Sequence, residues 1–187
     1  MPPSPSFPLP QGVDRILFDA ETIARRVGEL GAAITGDFLG KPLTVVTILQ
    51  GGALFMADLI RRIHLPLQIQ SISVASYHGG TTSSGTVTFL QNGLPDVSGR
   101  HVLLVDDVLD TGRTLHAIRH RLASECLPLS ISLAVLLSKR IDRPVPIEAQ
   151  YVGFEIDGEF VVGYGLDYAG DYRNLPFVGT LSPSILP

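Results

Sequence analysis

An apolar run that ends in two carboxylates constrains the fold of this chain more than any other feature. Residues 102–105 are all valine or leucine, which is typical of a central strand buried on both faces of a parallel sheet. Asp106 and Asp107 follow directly, and a short polar turn then leads into a helical pattern from Leu115. This strand, turn and helix predict an α/β fold, with the two acids at the carboxyl end of the sheet, where ligands bind.

The turn that follows, residues 110–114, has the composition of an anion site. Unpaired backbone N–H groups and the helix dipole favour a phosphate at the start of a helix. The glycine in the turn allows close backbone approach, and its two threonines add hydroxyl donors. Because Asp106 and Asp107 can accept hydrogen bonds from sugar hydroxyls, the whole segment predicts a ribose 5-phosphate site.

The rest of the chain alternates β-rich runs with helical periods, which predicts a mostly parallel, twisted sheet flanked by helices. Asp19 is the predicted N-cap of the first helix, and Asp157-Gly158 predicts a hairpin between the last two strands. Residues 78–85 are small or polar apart from one histidine, which predicts a mobile loop. Strands are predicted at residues 43–49, 69–77, 86–90, 101–106, 131–137, 152–155 and 160–162, and helices at 23–38, 54–63 and 115–122.

Composition excludes several classes of protein. The net charge of −4 gives no general electrostatic attraction to nucleic acid, and no apolar stretch reaches the ~20 residues of a membrane helix. The single cysteine, Cys126, cannot form an internal disulfide, which favours the reducing cytoplasm. Residues 1–13 are rich in proline and lack the pattern of a secretory signal, so they predict an extended arm.

The string VLLVDDVLDTGRTL at residues 102–115 resembles the phosphoribosyl pyrophosphate motif of type I phosphoribosyltransferases. The resemblance extends over about residues 43–180, and its other motifs are similar to those of the hypoxanthine (hypoxanthine-guanine) phosphoribosyltransferases. It implies the type I fold, with a small hood over the base site. The implied organisation is the arm at residues 1–13 and a single domain at 14–187, with a hood from roughly 14–40 and 157–187.

The resemblance also implies which residues bind each part of the sugar phosphate. The ribose hydroxyls are expected on the paired acids Asp106 and Asp107. The 5-phosphate is expected on the five residues of the turn, which are Asp110, Thr111, Gly112, Arg113 and Thr114.

At the pyrophosphate end, Gln50 and Gly51 resemble a loop in which a peptide bond, often cis, directs N–H groups at the diphosphate. Family members often carry a lysine where this chain has Gln50, so the charge of that side chain is missing here. Arg173 matches an arginine that binds pyrophosphate with a fixed fork of donors. Ser76 and Tyr77 begin a segment that resembles the family's flexible catalytic loop.

For the base, the resemblance implies four contacts and one proton transfer. Lys139 is expected at the 6-oxo group, which an ammonium favours over the 6-amino group of adenine. Phe160 is expected to stack on the base, with the backbone of Val161 and residue Asp167 beside it. Asp110 is the implied catalytic residue, exchanging a proton with N7 of the purine.

The implied reaction joins phosphoribosyl pyrophosphate to hypoxanthine, and to guanine as well, and releases IMP or GMP and pyrophosphate. Magnesium is the implied cofactor, held by Asp167 and Asp106 together with substrate oxygens and waters. A homodimer or homotetramer is implied, and nothing in the sequence chooses between them or ranks hypoxanthine, guanine and xanthine.

Two alternatives remain at this stage. One is an enzyme of the same fold that prefers xanthine or guanine. The other is a nucleotide-sensing RNA-binding regulator, because pyrimidine-operon regulators share a similar VDDVL-x-TGRT string. Such regulators usually have an aromatic residue where this chain has Asp110 and need a basic face, so Asp110 and the net charge of −4 favour the enzyme.

Overall fold

A computed structural model describes residues 9–76, 87–91 and 93–185, and it contains nine strands and three helices in that part of the chain. The elements in chain order are β1 (Val13–Phe18), α1 (Ala20–Asp37), β2 (Leu43–Leu49), α2 (Gly52–Ile60), β3 (Leu67–Ser76), β4 (Val87–Phe89), β5 (His101–Leu109), α3 (Arg113–Glu125), β6 (Ser130–Lys139), β7 (Tyr151–Ile156), β8 (Val161–Val162) and β9 (Val178–Leu181).

Six of the strands form the main sheet in the order β4-β3-β2-β5-β6-β7. Five of them are parallel, and β4 closes one edge as an antiparallel partner of β3. The residues 102–105 of β5 are fully buried, as their unbroken apolar character predicts. The predicted fold class, a mostly parallel sheet flanked by helices, is confirmed.

Strand β5 is longer than the sequence predicts. It continues past the predicted end at Asp106 to Leu109, so Asp106 and Asp107 lie within the strand rather than at its end. The partner strand β6 explains this, because Asp106 lies opposite Val135 and Val108 opposite Leu137 in the parallel ladder. Helix α2 begins at Gly52, two residues before the apolar period that predicts it.

The hairpin predicted at Asp157-Gly158 is wrong. Strand β7 pairs in parallel with β6, whereas β8 pairs antiparallel with β9 in a separate three-stranded sheet, β1-β9-β8. An Asp-Gly pair indicates a turn from local sequence alone. Which strands pair on either side of the turn depends on the side chains that each strand buries. Val161 and Val162 are both buried in the small sheet, so the chain changes sheets at the turn.

The small sheet gathers both terminal parts of the domain. Strand β1, which begins inside the segment predicted as an arm, pairs along its length with β9. Helix α1 instead shares a core with Val45 and Leu103 of the main sheet, although it belongs to the predicted hood segment 14–40. Residues 1–8 of the predicted arm lie outside the described residues, and the hood boundaries stay a prediction.

The predicted start of α1 is confirmed. The carboxylate of Asp19 accepts a hydrogen bond from the Thr22 N–H at 2.8 Å, which satisfies one of the unpaired donors of the first turn. The apolar face that predicts the helix is buried at Ile23, Val27 and Ile34. Within residues 9–76, 87–91 and 93–185, none of the helices has both the length and the apolar character that a membrane crossing demands.

Candidate active site

A cleft of about 650 Å³ opens at the carboxyl ends of β2 and β5, the edge of the sheet where the sequence places the ligand. Strand β3 forms one wall through Ser73 and Val74, and Leu90 lies beside them. Sequence analysis missed these three wall residues, since no motif marks them. The cleft brings together ten of the sequence-predicted site residues, which are Gln50, Gly51, Asp106, Asp107, Asp110, Thr111, Gly112, Thr114, Asp167 and Arg173.

The paired acids lie in the wall formed by β5. One oxygen of Asp106 accepts a hydrogen bond from the Asp107 N–H at 3.0 Å, and one of Asp107 accepts from the Val108 N–H at 2.7 Å. Burial raises the pKa of Asp106 well above its usual value, and the charge of Asp107 raises it further. Burial also raises the pKa of Asp107, against the opposing effects of the Val108 N–H and, to a smaller extent, of Arg173. The pair therefore favours hydroxyl donors or a cation at this position.

The turn between β5 and α3 has the backbone of an anion site. Gly112 adopts the left-handed conformation (φ 76°) just before the helix, and a Cβ there would overlap Ile147. A glycine has no side chain with which to cap the helix, so the first N–H groups of α3 remain available to a ligand. Thr111 and Thr114 line the cleft on either side, while Arg113 is the first residue of α3.

The loop after β2 lies directly against the acids. Its Leu49–Gln50 peptide bond is cis, in agreement with the expectation for a pyrophosphate loop. A Cβ at Gly51 would overlap the carboxylate of Asp107, so only glycine fits this approach of loop and strand. Gln50 is exposed at the cleft, and its backbone carbonyl accepts a hydrogen bond from the Ala53 N–H at 3.2 Å.

Lys139 does not line the cleft itself, but it forms an ion pair with Asp110, which does. Its Nζ lies 2.8 Å from Oδ2 of Asp110, although 29 residues separate the two along the chain. The lysine side chain is 16% exposed and the aspartate side chain 45%, so the acid is the more open partner. The nearest charged group to the proposed proton acceptor is thus a cation rather than the neighbouring acids of the motif.

Asp167 and Arg173 lie together in the lining of the cleft. Nη2 of Arg173 lies 2.6 Å from Oδ1 of Asp167, and Nη1 donates to the carbonyl of Gly165 at 2.6 Å. The second oxygen of Asp167 accepts from the Gly170 N–H at 2.8 Å. Asp167 is predicted to bind magnesium, and Arg173 is predicted to bind pyrophosphate. In this conformation the two side chains form an ion pair with each other.

Four sequence-predicted residues do not belong to the described lining of the cleft: Arg113, Lys139, Phe160 and Val161. Phe160 is 40% exposed and packs edge-to-face on Tyr168, with ring centroids 5.5 Å apart. The side chain of Val161 is buried in the core, which leaves only its backbone for a base. The side chain of Ser76 and all of Tyr77 fall outside the described residues.

The chemistry of the cleft fits a divalent cation that is shared with a ligand. Asp106 and Asp107 offer hard oxygen donors, and burial raises the pKa of both carboxyls. Within the described residues, however, no group of three or more histidine, cysteine, aspartate or glutamate side chains is arranged to hold a metal. A cation here would need oxygens from the substrate to complete its shell.

Comparison with known proteins places these observations in a family. Residues 15–169 match the model of the phosphoribosyl transferase domain. The chain is 46% identical over 170 residues to the hypoxanthine-guanine phosphoribosyltransferase of Staphylococcus aureus, covering 91% of this chain and 94% of that protein. It is 42% identical over 177 residues to the enzyme of the same name from Streptococcus pneumoniae, covering 95% and 98%.

A solved structure agrees with these sequence matches. The fold superimposes on a crystal structure of a hypoxanthine phosphoribosyltransferase from Staphylococcus aureus with a TM-score of 0.88. The two chains are 45% identical, and the match covers 94% of this chain and 95% of the other.

Proposed function

The chain belongs to the hypoxanthine-guanine phosphoribosyltransferases, and we propose that its cleft transfers the 5-phosphoribosyl group of phosphoribosyl pyrophosphate to N9 of hypoxanthine and guanine. The products are IMP or GMP and pyrophosphate, a reaction of purine salvage. The observation that carries the assignment of residues is the 2.8 Å contact between Lys139 and Asp110, because Asp110 also belongs to the phosphate turn. The Asp110 side chain therefore lies between the proposed site of the base and the proposed site of the sugar phosphate.

The sugar phosphate is held by β5 and the start of α3. The 5-phosphate binds the N–H groups of the turn around Gly112, where the helix dipole favours an anion. The ribose hydroxyls donate to the carboxylates of Asp106 and Asp107, which lie in the wall of the cleft. This geometry fixes C1 of the ribose within reach of the base.

The base is held on the other side of Asp110. Lys139 donates to the 6-oxo group, and the 6-amino group of adenine offers no acceptor there. As the bond between N9 and C1 forms, positive charge develops on the imidazole ring of the purine. The N7 proton then passes to the carboxylate of Asp110, whose open face is turned to the cleft.

The leaving pyrophosphate takes the electron pair of the C1–O bond. Arg173 offers it a fork of N–H donors, and Gln50 and Gly51 line the same cleft. A magnesium ion, when bound, neutralises charge on the diphosphate. The candidate protein ligands are Asp106 and Asp167, and the pairing of Asp167 with Arg173 implies that substrate binding rearranges this pair.

Other expectations remain proposals. Ser76 and Tyr77 begin the segment proposed to close over the sugar and exclude water. Association into a homodimer or homotetramer and a cytoplasmic location are further predictions. The alternative of an RNA-binding regulator has no support from the comparisons, since the named relatives are enzymes.

A panel of bases tests the proposal. The protein is mixed with magnesium, phosphoribosyl pyrophosphate and either hypoxanthine, guanine, xanthine or adenine, and nucleotide formation is followed by chromatography. We expect IMP and GMP at comparable rates and no AMP above background. AMP formation at the rate of IMP would overturn the role of Lys139. Absence of product with all four bases would overturn the enzymatic function.

A further inference from the structure

Arg143 lies between two segments of the proposed site but belongs to none of the sequence motifs. Its Nε donates to the carbonyl of Asp110 at 3.1 Å. Its Nη2 donates to the carbonyl of Lys139 at 2.7 Å and to the hydroxyl of Ser138 at 2.9 Å, with a longer contact to the carbonyl of Leu109 at 3.4 Å. One guanidinium thus bridges the end of β5 to the end of β6.

These two segments carry the side chains that the proposed reaction uses on the base. Nζ of Lys139 lies 2.8 Å from the Asp110 carboxylate, and Arg143 binds the backbone carbonyl of each of these residues. The ladder between β5 and β6 ends at the pair Leu109 and Ser138. Beyond that point, Arg143 continues the connection between the two strands through side-chain hydrogen bonds.

The hydrogen-bond partners of the Arg143 guanidinium are uncharged. All four acceptors are neutral, and within the described residues Arg143 forms no ion pair with a carboxylate. Its planar fork of donors can reach two backbones at once, which a lysine ammonium on a flexible stem cannot reproduce. The side chain is half-buried, so these hydrogen bonds are only partly exposed to competing water.

We propose that Arg143 is a positioning residue for base recognition. It sets the spacing between Lys139 and Asp110, so that the 6-oxo group and the N7 proton of one purine are engaged at the same time. The inference rests on the proposed function, because it assigns Arg143 a role through Lys139 and Asp110 rather than through contact with substrate.

The first test compares two arginines of the same loop. Arg143→Gln is expected to lower kcat with hypoxanthine by about 10- to 100-fold, the cost of a misplacement near 1 Å, with a smaller change in KM for phosphoribosyl pyrophosphate. Arg143→Lys should recover only part of the rate. Arg140→Gln is the matched control, because Arg140 is exposed and binds Glu155 and Asp157 instead, and it should keep the wild-type rate.

A double-mutant cycle separates positioning from simple destabilisation. If Arg143 acts through Lys139, the loss caused by Arg143→Gln should be much smaller in a Lys139→Gln background than in wild type. All variants are compared at equal folded fraction, measured by circular dichroism. An equal fold-loss in both backgrounds, or an Arg143→Gln rate within twofold of wild type, would overturn the inference. An inactive wild-type protein would instead overturn the proposed function.

Discussion

The side chains that line the cleft make it strongly acidic. Among its described lining residues are four carboxylates and one guanidinium, that of Arg173. The motif alone predicts three of these acids and the phosphate turn, since strand, acids and helix start are adjacent in sequence. The sequence cannot show that Lys139 pairs with Asp110, because that contact depends on how β6 lies beside β5. Nor does any local signal mark Arg143.

Replacement of Asp110 tests the proton transfer. We expect Asp110→Asn to lower kcat for IMP formation by roughly 100-fold or more, because an amide cannot accept the N7 proton as a carboxylate does. KM for phosphoribosyl pyrophosphate should change little, since the backbone of the turn still binds phosphate. Steady-state rates over a range of both substrates measure this, with Asp14→Asn, an exposed acid on β1, as the control. A wild-type kcat in Asp110→Asn would contradict the proton-transfer role.

Gly51 tests the close approach of the pyrophosphate loop to β5. An added Cβ would overlap the Asp107 carboxylate, so Gly51→Ala must displace either the loop or the acid. We expect kcat/KM for phosphoribosyl pyrophosphate to fall by about 100-fold, the cost of a displacement near 1 Å.

The matched control for this substitution is Gly28→Ala in α1. No atom lies within 4 Å of a Cβ added at Gly28, so kinetics should be unchanged. The same substitution should raise the free energy of unfolding by up to about 1 kcal/mol, because alanine favours a helix over glycine. Equal kcat/KM values in Gly51→Ala and Gly28→Ala would show that the loop tolerates displacement.

Secondary-structure elements are predictable here where their signals are local and continuous. The buried strands β2 and β5 and the capped helix α1 follow from apolar runs and helical periods. The small sheet does not, since β8 has two residues and β9 has four, and their partners are remote in sequence. For the same reason the Asp157-Gly158 signal predicts a turn but not the change of sheet that occurs there.

Tyr164 connects the loop after β8 to helix α2. Its hydroxyl donates to the Asp58 carboxylate at 2.6 Å in a partly buried position, and burial together with that acid raises the pKa of Tyr164. We expect Tyr164→Phe to lower the free energy of unfolding by roughly 1.5–3 kcal/mol, the range for a hydrogen bond to a charged group.

Tyr172→Phe is the matched control for this measurement. The Tyr172 hydroxyl donates to the neutral carbonyl of Gln11 at 3.0 Å in an exposed position, so its loss should cost less. Urea titrations monitored by circular dichroism compare the two variants. A larger loss in Tyr172→Phe than in Tyr164→Phe would contradict this account of the connection.

At the scale of the whole molecule, the fold places an acidic cleft where a polyanionic substrate must bind. The parallel sheet brings the carboxyl ends of β2 and β5 together, and the segment between β8 and β9 brings Asp167 and Arg173 into the same cleft. The net charge of −4 provides no compensating positive field. Phosphoribosyl pyrophosphate should therefore enter together with a divalent cation.

Thermal unfolding measures this dependence on magnesium. With magnesium, phosphoribosyl pyrophosphate at 100 times its Kd should stabilise the folded protein by about 2.7 kcal/mol and raise Tm accordingly. With a chelator, the rise in Tm should largely disappear, because the four acids repel the diphosphate. IMP, which lacks the diphosphate, is the control ligand and should raise Tm in both conditions. An undiminished effect of phosphoribosyl pyrophosphate in chelator would contradict the proposed need for a cation.

The most direct test of the central claim is the stoichiometry of the two products. Hypoxanthine, phosphoribosyl pyrophosphate and magnesium are incubated with the protein, and IMP and pyrophosphate are quantified in the same samples over time. A cleft that joins the sugar phosphate to the base at Lys139 and Asp110 predicts equal amounts of IMP and pyrophosphate throughout. Pyrophosphate release with ribose 5-phosphate in place of IMP, or no release at all, would contradict it.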